Sequence, residues 1–229
     1  MARLPRLFAP GVVQRVVQRA ADGRLLFDGA DDYRFFVELL RQAADSNELA
    51  IHAYVLLPGE VQLLATPTNS TGLPRTMQAI GRRYVPYMNR RSGRLGPLFD
   101  RRYRSTLIEA ERYLMACMQH LEWQPVALGL AQSPQEWGWS SYRHHVGLDQ
   151  ETFLVDHPLY WALRNTPFER QATYRSLFET PLGADMTSAI EAATQTGWAL
   201  GSENFLRSMS GKATRRVIPL SRGRPKKRH

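Results

Sequence analysis

The chain has almost no cysteine and no long apolar run, and both absences limit what it can be. Cys117 is the single cysteine among 229 residues, so no internal disulfide can form, which suits a reducing compartment. No segment approaches the run of about 18 apolar residues that a membrane span requires, and residues 1–6 lack the apolar stretch of a secretory signal. We therefore expect a soluble cytoplasmic protein, associated with the nucleoid through its positive charge.

Acidic residues are absent from the C-terminus. Residues 211–229 contain eight basic side chains and no acid, whereas the preceding chain carries 22 basic and 21 acidic groups. Since few apolar residues accompany this charge, we predict a basic disordered tail at 213–229. Its segment 221–227 resembles an AT-hook, which lies in an A·T-rich minor groove; a nonspecific basic extension is the alternative. The basic residues of that segment are Arg222, Arg224, Lys226 and Lys227.

A second basic segment lies within the body of the chain. Residues 75–104 contain nine arginines and one acid, Asp100. A solvated helix face usually mixes both signs of charge, so this imbalance predicts contacts with DNA phosphates. Three interleaved tyrosines, Tyr84, Tyr87 and Tyr103, either stack on exposed bases or pack into the core. The predicted DNA-binding arginines are Arg82, Arg83, Arg90, Arg91, Arg94, Arg101, Arg102 and Arg104.

The periodicity of the apolar residues predicts an α+β core. Pro58 and Gly59 are expected to join two strands as a hairpin, Pro86 to kink the second helix and Pro125 to end the third. The order βαββαβ is typical of a ferredoxin-like fold, with one antiparallel sheet and helices on one face. The strands are predicted at 12–19, 50–57, 60–65 and 103–108, and the helices at 29–47, 73–91 and 109–123.

Three regions follow from this pattern. Residues 1–147 are predicted to form the nucleic-acid-binding domain, residues 148–212 a helical extension, and residues 213–229 the tail. Within the extension, apolar spacing predicts helices at 156–163, 168–178 and 186–196.

Six short motifs lie at 52–64, 89–99, 103–105, 124–126 with 129–130, 139–142 and 197–202. In this order and spacing they resemble the REP-associated tyrosine transposases. These are relatives of the insertion-sequence transposases that cut single-stranded DNA, within the HUH nuclease superfamily. The resemblance spans nearly the whole chain and implies a ferredoxin-like nuclease domain, a hairpin or single-stranded DNA partner, and a homodimer.

The residues that perform the reaction in that family are replaced here. There, two histidines on the second hairpin strand hold a divalent metal, and a helical tyrosine attacks the phosphorus and becomes joined to the 5′ side of the cut. The histidines correspond to Glu60 and Gln62, and the tyrosine to His120, while Gln124 matches a polar ligand one turn later. Amide oxygens are poor substitutes for imidazole toward transition metals. The resemblance therefore implies a DNA-binding protein that no longer cleaves by this route, with Mg or Mn expected only if activity persists.

Several alternatives remain open at this point. The cluster of Glu60, Gln62, His120 and Gln124 is either an inactive pocket of tolerated polar residues or a repurposed metal or phosphate site. Tyr113 or Cys117 could replace the nucleophile, although their apolar neighbours predict core positions. The chain could also be an active transposase or endonuclease with substituted metal ligands, or a regulatory or architectural protein that binds DNA through its tail.

Overall fold

A computed structural model describes residues 5–21 and 24–219, and its first seven elements follow the predicted order βαββαβ and then a helix. They are β1 (Gln14–Arg19), α1 (Ala30–Ser46), β2 (Leu49–Leu57), β3 (Glu60–Pro67), α2 (Gly72–Ser92), β4 (Arg104–Leu107) and α3 (Ala110–Ala127). A 3₁₀ turn (Pro134–Glu136) precedes α4 (Tyr142–His145), α5 (Pro158–Trp161), α6 (Pro167–Ser176), α7 (Ala184–Thr196) and α8 (Glu203–Met209). In the described part of the chain, no helix is both long and apolar enough to cross a membrane.

The four strands form one antiparallel sheet in the order β2-β3-β1-β4. This order confirms the ferredoxin-like fold. Leu57 pairs with Glu60 across the hairpin, so Pro58 and Gly59 form the two-residue connection, as predicted. In β1 and β3, Val17 lies opposite Gln62 and Arg19 opposite Glu60, so these four side chains share one face of the sheet.

Helices cover both faces of the sheet. The predicted pair, α1 and α2, packs on one face, where Phe36 and Tyr84 join the cluster that contains Leu56 and Leu63 of the hairpin. The opposite face, which was predicted to lack helices, packs against α3, α5, α6 and α7 in a second cluster. The reason lies in β2, which is buried at nearly every position and therefore needs cover on both sides. The extension 148–212 thus shares its core with the sheet.

The third helix does not end before Pro125, so that prediction is wrong. α3 continues to Ala127, and the Leu130 N–H then donates to the Pro125 carbonyl at 2.8 Å. A proline this close to a helix C-terminus removes only one intrahelical hydrogen bond, and Pro125 is itself buried, so packing offsets the loss. α2 likewise runs through Pro86, which lies on its exposed side.

The first residues of the predicted tail are packed rather than free. The Thr214 N–H donates to the Phe8 carbonyl at 2.9 Å, and Val217 is only 1% exposed, in a cluster with Leu7 and Met209. Burial of Val217 and the hydrogen bonds of Thr214 and Arg215 together hold this segment against the body. Residues 213–219 therefore belong to the folded body, and residues 220–229 lie outside the described residues.

Candidate functional site

The four residues predicted to cluster meet in one pocket between the sheet and two helices. Glu60 and Gln62 point from β3 toward His120 and Gln124, which lie one turn apart on α3. The pocket has a volume of about 160 Å³. Its lining also includes side chains of β1 and α7, namely Arg15, Val17, Arg19, Glu191, Thr194 and Gln195.

Arg15 occupies the interior of this pocket. Arg15 is 4% exposed, and its Nη2 donates to Gln62 Oε1 at 2.6 Å and lies 3.4 Å from His120 Nδ1. Nη1 donates to the Thr194 hydroxyl. Desolvation by burial lowers the pKa of Arg15, but an arginine remains protonated at neutral pH. A fixed positive charge from the protein itself therefore stands among the candidate site residues.

Sequence reasoning missed Arg15, although a signal was present. Within the first strand, Arg15, Val17 and Arg19 alternate with the residues of the other face. Pairing of β1 with β3 places that row beside Glu60 and Gln62. Periodicity alone could not supply this pairing, because a strand's neighbours are set by the topology of the sheet.

The Glu60 carboxylate is held by its neighbours in the pocket, whereas the outer nitrogen of His120 is not. Glu60 accepts from Arg19 Nε and from Gln62 Nε2, both at 2.5 Å. Burial, and next the Arg15 charge, lower the pKa of His120 to about 4, so its imidazole is neutral at pH 7. Its Nε2 lies 3.5 Å from the carboxylate of Glu191, beyond the length of a good hydrogen bond.

These residues do not fit a divalent cation. The Gln62 oxygen and His120 Nδ1 face the guanidinium of Arg15, and the Glu60 carboxylate is bridged by Arg19 and the Gln62 amide. A divalent cation bound here would break these hydrogen bonds and would lie beside the buried positive charge of Arg15. Gln124, whose amide nitrogen donates to the His120 carbonyl at 3.4 Å, could offer only its amide oxygen, a poor substitute for imidazole as a ligand.

The alternative nucleophiles lie in the core. Cys117 is fully buried, and desolvation raises the pKa of its thiol to about 12, which keeps it protonated. Tyr113 is partly buried and packs against the second apolar cluster. Cys117 is therefore a core residue, and Tyr113 lies at the margin of the core.

A second polar cluster lies away from this pocket, at the C-terminal end of α4, and the sequence did not indicate it. His144, His145 and Asp156 bring three metal-ligating atoms within 4.8 Å of one another. However, His144 Nδ1 accepts the Glu151 N–H at 3.1 Å, so in the neutral ring the proton is on Nε2, which faces Asp156 at 3.4 Å. That proton stands where a metal would bind. The cluster therefore forms a hydrogen-bonded network.

A buried carboxylate anchors this network to α3. Glu122, which is fully buried, accepts from Ser141 Oγ at 2.6 Å, from Tyr174 at 2.7 Å and from His145 Nδ1 at 2.8 Å. The segment 139–142 also pairs with β2, because the Leu56 N–H donates to the Trp139 carbonyl at 2.9 Å. This motif of the sequence therefore joins α3, α6 and the edge of the sheet.

The eight predicted arginines of the body divide into two groups. Arg83 donates to Gln42 at 2.6 Å, Arg91 lies 3.3 Å from buried Asp32, Arg101 lies 3.7 Å from Asp100, and Arg104 donates to the Gln195 carbonyl at 3.1 Å. The other four are exposed, and within the described ranges their side chains form no hydrogen bond or salt bridge. These free arginines are Arg82, Arg90, Arg94 and Arg102. Arg222, Arg224, Lys226 and Lys227 lie outside the described residues.

The tyrosines considered for base stacking are mostly buried. Tyr84 is fully buried and donates to the Leu26 carbonyl at 2.6 Å. Tyr103 is 7% exposed and lies under the guanidinium of Arg6, 3.7 Å from the ring centroid. Tyr87 is partly buried and donates to Asp32 at 2.8 Å.

No protein-family model matches the sequence, and no curated protein matches it. Among solved structures, the chain is similar to a REP-associated tyrosine transposase bound to a REP hairpin, with a TM-score of 0.52 and 13% identity over 69% of this chain and 92% of that chain. A candidate transposase from Deinococcus radiodurans R1 has a TM-score of 0.35 and 18% identity, over 51% of this chain and 94% of that one. The first likeness establishes a shared fold.

Proposed function

We propose that this chain is a transposase-like DNA-binding protein that recognises hairpin or single-stranded DNA and leaves it uncut. The observation that carries this proposal is the guanidinium of Arg15, which lies inside the pocket formed by Glu60, Gln62 and His120. In the transposase family that the sequence resembles, a metal ion would occupy the corresponding pocket.

Cleavage by the metal and tyrosine route requires a cation on the phosphate and a nucleophile that can reach it. Here the positive charge is the guanidinium of Arg15, which donates hydrogen bonds to Gln62 and Thr194. Because Arg15 is only 4% exposed, its guanidinium cannot reach a phosphate without breaking these hydrogen bonds. His120 is 6% exposed, and its Nε2 faces a carboxylate that would repel DNA. We propose that Mg or Mn has no resident role in this pocket.

Three features support binding of DNA. Arg82, Arg90, Arg94 and Arg102 are exposed and lack acidic partners in the described ranges, so they are available for phosphates. The net charge is +9, which favours a polyanion. The REP-associated transposase of the same fold is bound to a REP hairpin.

The tail supplies a further contact in this proposal. Arg222, Arg224, Lys226 and Lys227 form the AT-hook-like segment and add affinity for A·T-rich duplex beside the recognised element. The resemblance also implies a homodimer, which light scattering of the full chain would test.

Fluorescence anisotropy separates recognition by the folded body from binding by the tail. The probes are a hairpin, a linear single strand of the same composition and an A·T-rich duplex, each titrated with the full chain and with a variant that lacks 220–229. We expect the shortened chain to keep its preference for hairpin or single strand and to lose affinity for the duplex. If the variant that lacks 220–229 binds none of the three probes, the folded body does not recognise DNA by itself.

A further inference from the structure

A cleft of about 660 Å³ lies in the helical extension, between the C-terminal end of α4 and the start of α6, and shares no residue with the pocket of Arg15. Pro167, the first residue of α6, lines the cleft, and Phe168 follows it in the chain. Arg170 also lines the cleft and donates to the Arg164 carbonyl at 3.0 Å, so Arg164 lies at its border. We call this region the Trp161 surface, defined by Leu148, Asp156, Trp161, Arg164 and Phe168.

The Trp161 surface exposes large apolar side chains. Trp161 is 53% exposed, Phe168 81% and Leu148 47%. Trp161 is nevertheless fixed in position, because the guanidinium of buried Arg170 lies over its ring, 3.9 Å from the centroid. Exposed aromatic side chains beside polar groups mark interaction surfaces, and an aromatic that is already fixed loses little conformational entropy on binding.

The same surface carries two opposite charges that are not paired with each other. Arg164 is exposed, its guanidinium donates to the Leu163 carbonyl at 3.1 Å, and it forms no salt bridge with any described residue. Oδ1 of Asp156 lies 3.4 Å from His144 Nε2, whereas Oδ2 accepts no hydrogen bond within the described part of the chain. Around a two-fold axis, a contact between Arg164 of one copy and Asp156 of the other occurs twice. The surface is therefore complementary in charge to a second copy of itself.

The distribution of charge along the chain also favours a second copy at this surface. Residues 147–179 hold five acidic and three basic side chains, although the net charge of the protein is +9. Two copies repel each other through the basic remainder of the chain, and this segment allows them to approach without that repulsion. α5 and α6 cover the face of the sheet opposite α1 and α2, so the free arginines of α2 lie on the other side of the sheet.

We propose that the Trp161 surface is the interface of a homodimer. Trp161 and Phe168 pack across the two-fold axis, and Arg164 of each protomer pairs with Asp156 of the other. This inference rests on the homodimer named under the proposed function and adds its location, which is the helical extension and not the sheet. Because the free arginines of α2 lie on the opposite side, formation of the dimer and binding of DNA do not compete.

An exchange of charges tests the pairing directly. Sedimentation velocity over a range of chain concentrations would measure the dissociation constant of the dimer. We expect Arg164→Glu and Asp156→Lys each to raise this constant about tenfold or more, since each places two like-charged pairs in the interface. A mixture of the two variants should form a heterodimer, because both pairs are then again of opposite charge. Lys212→Glu makes the same change of charge at an exposed position elsewhere and should leave the dimer intact.

The aromatic part of the interface is tested by a matched pair of variants. Phe168→Ser should weaken the dimer about tenfold or more, as loss of an aromatic contact at the centre of an interface does. Leu95→Ser removes a similarly exposed apolar side chain outside the Trp161 surface and should have no effect. Thermal unfolding would check that each variant is folded. If Asp156→Lys is unfolded, Arg164→Glu and Phe168→Ser, both at exposed positions, give the result.

Two results would overturn the inference. A chain that stays monomeric at every concentration has no such interface, and its Trp161 surface is left for a different protein. A dimer that is unaffected by both Arg164→Glu and Phe168→Ser is formed through another surface. Fluorescence anisotropy with a hairpin separates these outcomes from the DNA-binding proposal: a monomer that binds the hairpin overturns the interface alone, and a dimer that binds no DNA overturns the DNA-binding function alone.

Discussion

Arg15 Nη2 donates to Gln62 Oε1 at 2.6 Å, in a pocket where Arg15 is 4% exposed and Gln62 is 3% exposed. This contact joins β1 to β3 on the face that α3 and α7 cover. The contact holds a permanent positive charge beside Glu60 and Gln62, which correspond to metal-binding histidines in the transposase family that the sequence resembles. The Glu60 carboxylate in turn accepts hydrogen bonds from Arg19 Nε and from the amide nitrogen of Gln62.

Replacing Arg15 should change the titration of its neighbour. Burial and then the charge of Arg15 lower the pKa of His120 to about 4. In Arg15→Met the charge is gone and the burial remains, so the pKa of His120 should rise but stay below its ordinary value of about 6.5. NMR of the imidazole nitrogens would measure it, with Arg34→Met as a control far from any histidine contact. An unaltered pKa in Arg15→Met would refute the electrostatic coupling.

Stability should fall in mild acid because two buried histidines must stay neutral. Burial lowers the pKa of His52 and of His120 to about 4, against about 6.5 in an unfolded chain. The unfolded state therefore binds more protons between these values. The stabilisation is complete above pH 6.5 and is lost as pH falls toward 4, at up to about 1.4 kcal/mol per pH unit for each histidine.

Urea unfolding at pH 7, 6, 5 and 4.5 would measure this dependence. His52→Gln and His120→Gln should each make the profile shallower, since glutamine does not titrate. A free energy of unfolding that is constant from pH 6.5 to 5 would contradict the burial of neutral imidazoles.

The free arginines should carry the electrostatic part of DNA binding. Changing Arg82, Arg90, Arg94 and Arg102 together to alanine should weaken binding to all sequences. It should also reduce the slope of log K against log salt by about 0.9 for each stem phosphate, or about 0.7 for each single-strand phosphate, that the variant no longer neutralises. Titrations of a hairpin between 50 and 200 mM salt, about the range over which such slopes are resolved, would measure both effects.

The matched control removes the same charge from arginines that already have acidic partners. Arg34, Arg41, Arg143 and Arg207 pair with Asp31, Glu38, Asp149 and Glu203. Their joint replacement by alanine should leave the slope nearly intact. If the two sets of replacements had equal effects, the affinity would depend on the net charge of the protein and not on the position of the free arginines.

The Glu122 network should be a determinant of stability. Glu122→Gln turns one acceptor into a donor that faces groups which themselves donate, among them Ser141 and Tyr174. We expect a loss of about 2–4 kcal/mol in the free energy of unfolding. Glu203→Gln, on an exposed side chain, should change it by less than about 0.5 kcal/mol. A neutral result for Glu122→Gln in chemical denaturation would show that the network is dispensable.

The sequence predicted the core of the fold because its strands and helices differ clearly in period. The alternation around Val16 and the helical spacing of Phe36, Leu39 and Leu40 give β1 and α1 to within a few residues. The hairpin connection at Gly59 follows from local turn chemistry. At Pro125 the local rule fails, since packing of the last turn of α3 outweighs the absence of one hydrogen bond.

The candidate site could be predicted only in part. Glu60 and Gln62 lie two residues apart on one strand and so point to the same face of the sheet, where they line the pocket together with His120. Arg15 and Glu191 join them from β1 and α7, which are 105 residues before and 71 residues after His120 in the chain, and no periodicity relates such segments. Short elements such as α4 were missed because their stability comes from tertiary contacts, here His145 with Glu122.

The most direct test of the account is a hairpin oligonucleotide incubated with the full chain in Mn²⁺, in Mg²⁺ and in EDTA, with bound, cut and covalently attached DNA resolved on native and denaturing gels. We expect equal binding in all three conditions, intact DNA and no covalent adduct. Metal-dependent cleavage or an adduct, abolished on changing Glu60, Gln62 or His120 to alanine, would contradict the claim that Arg15 fills the place of a catalytic cation.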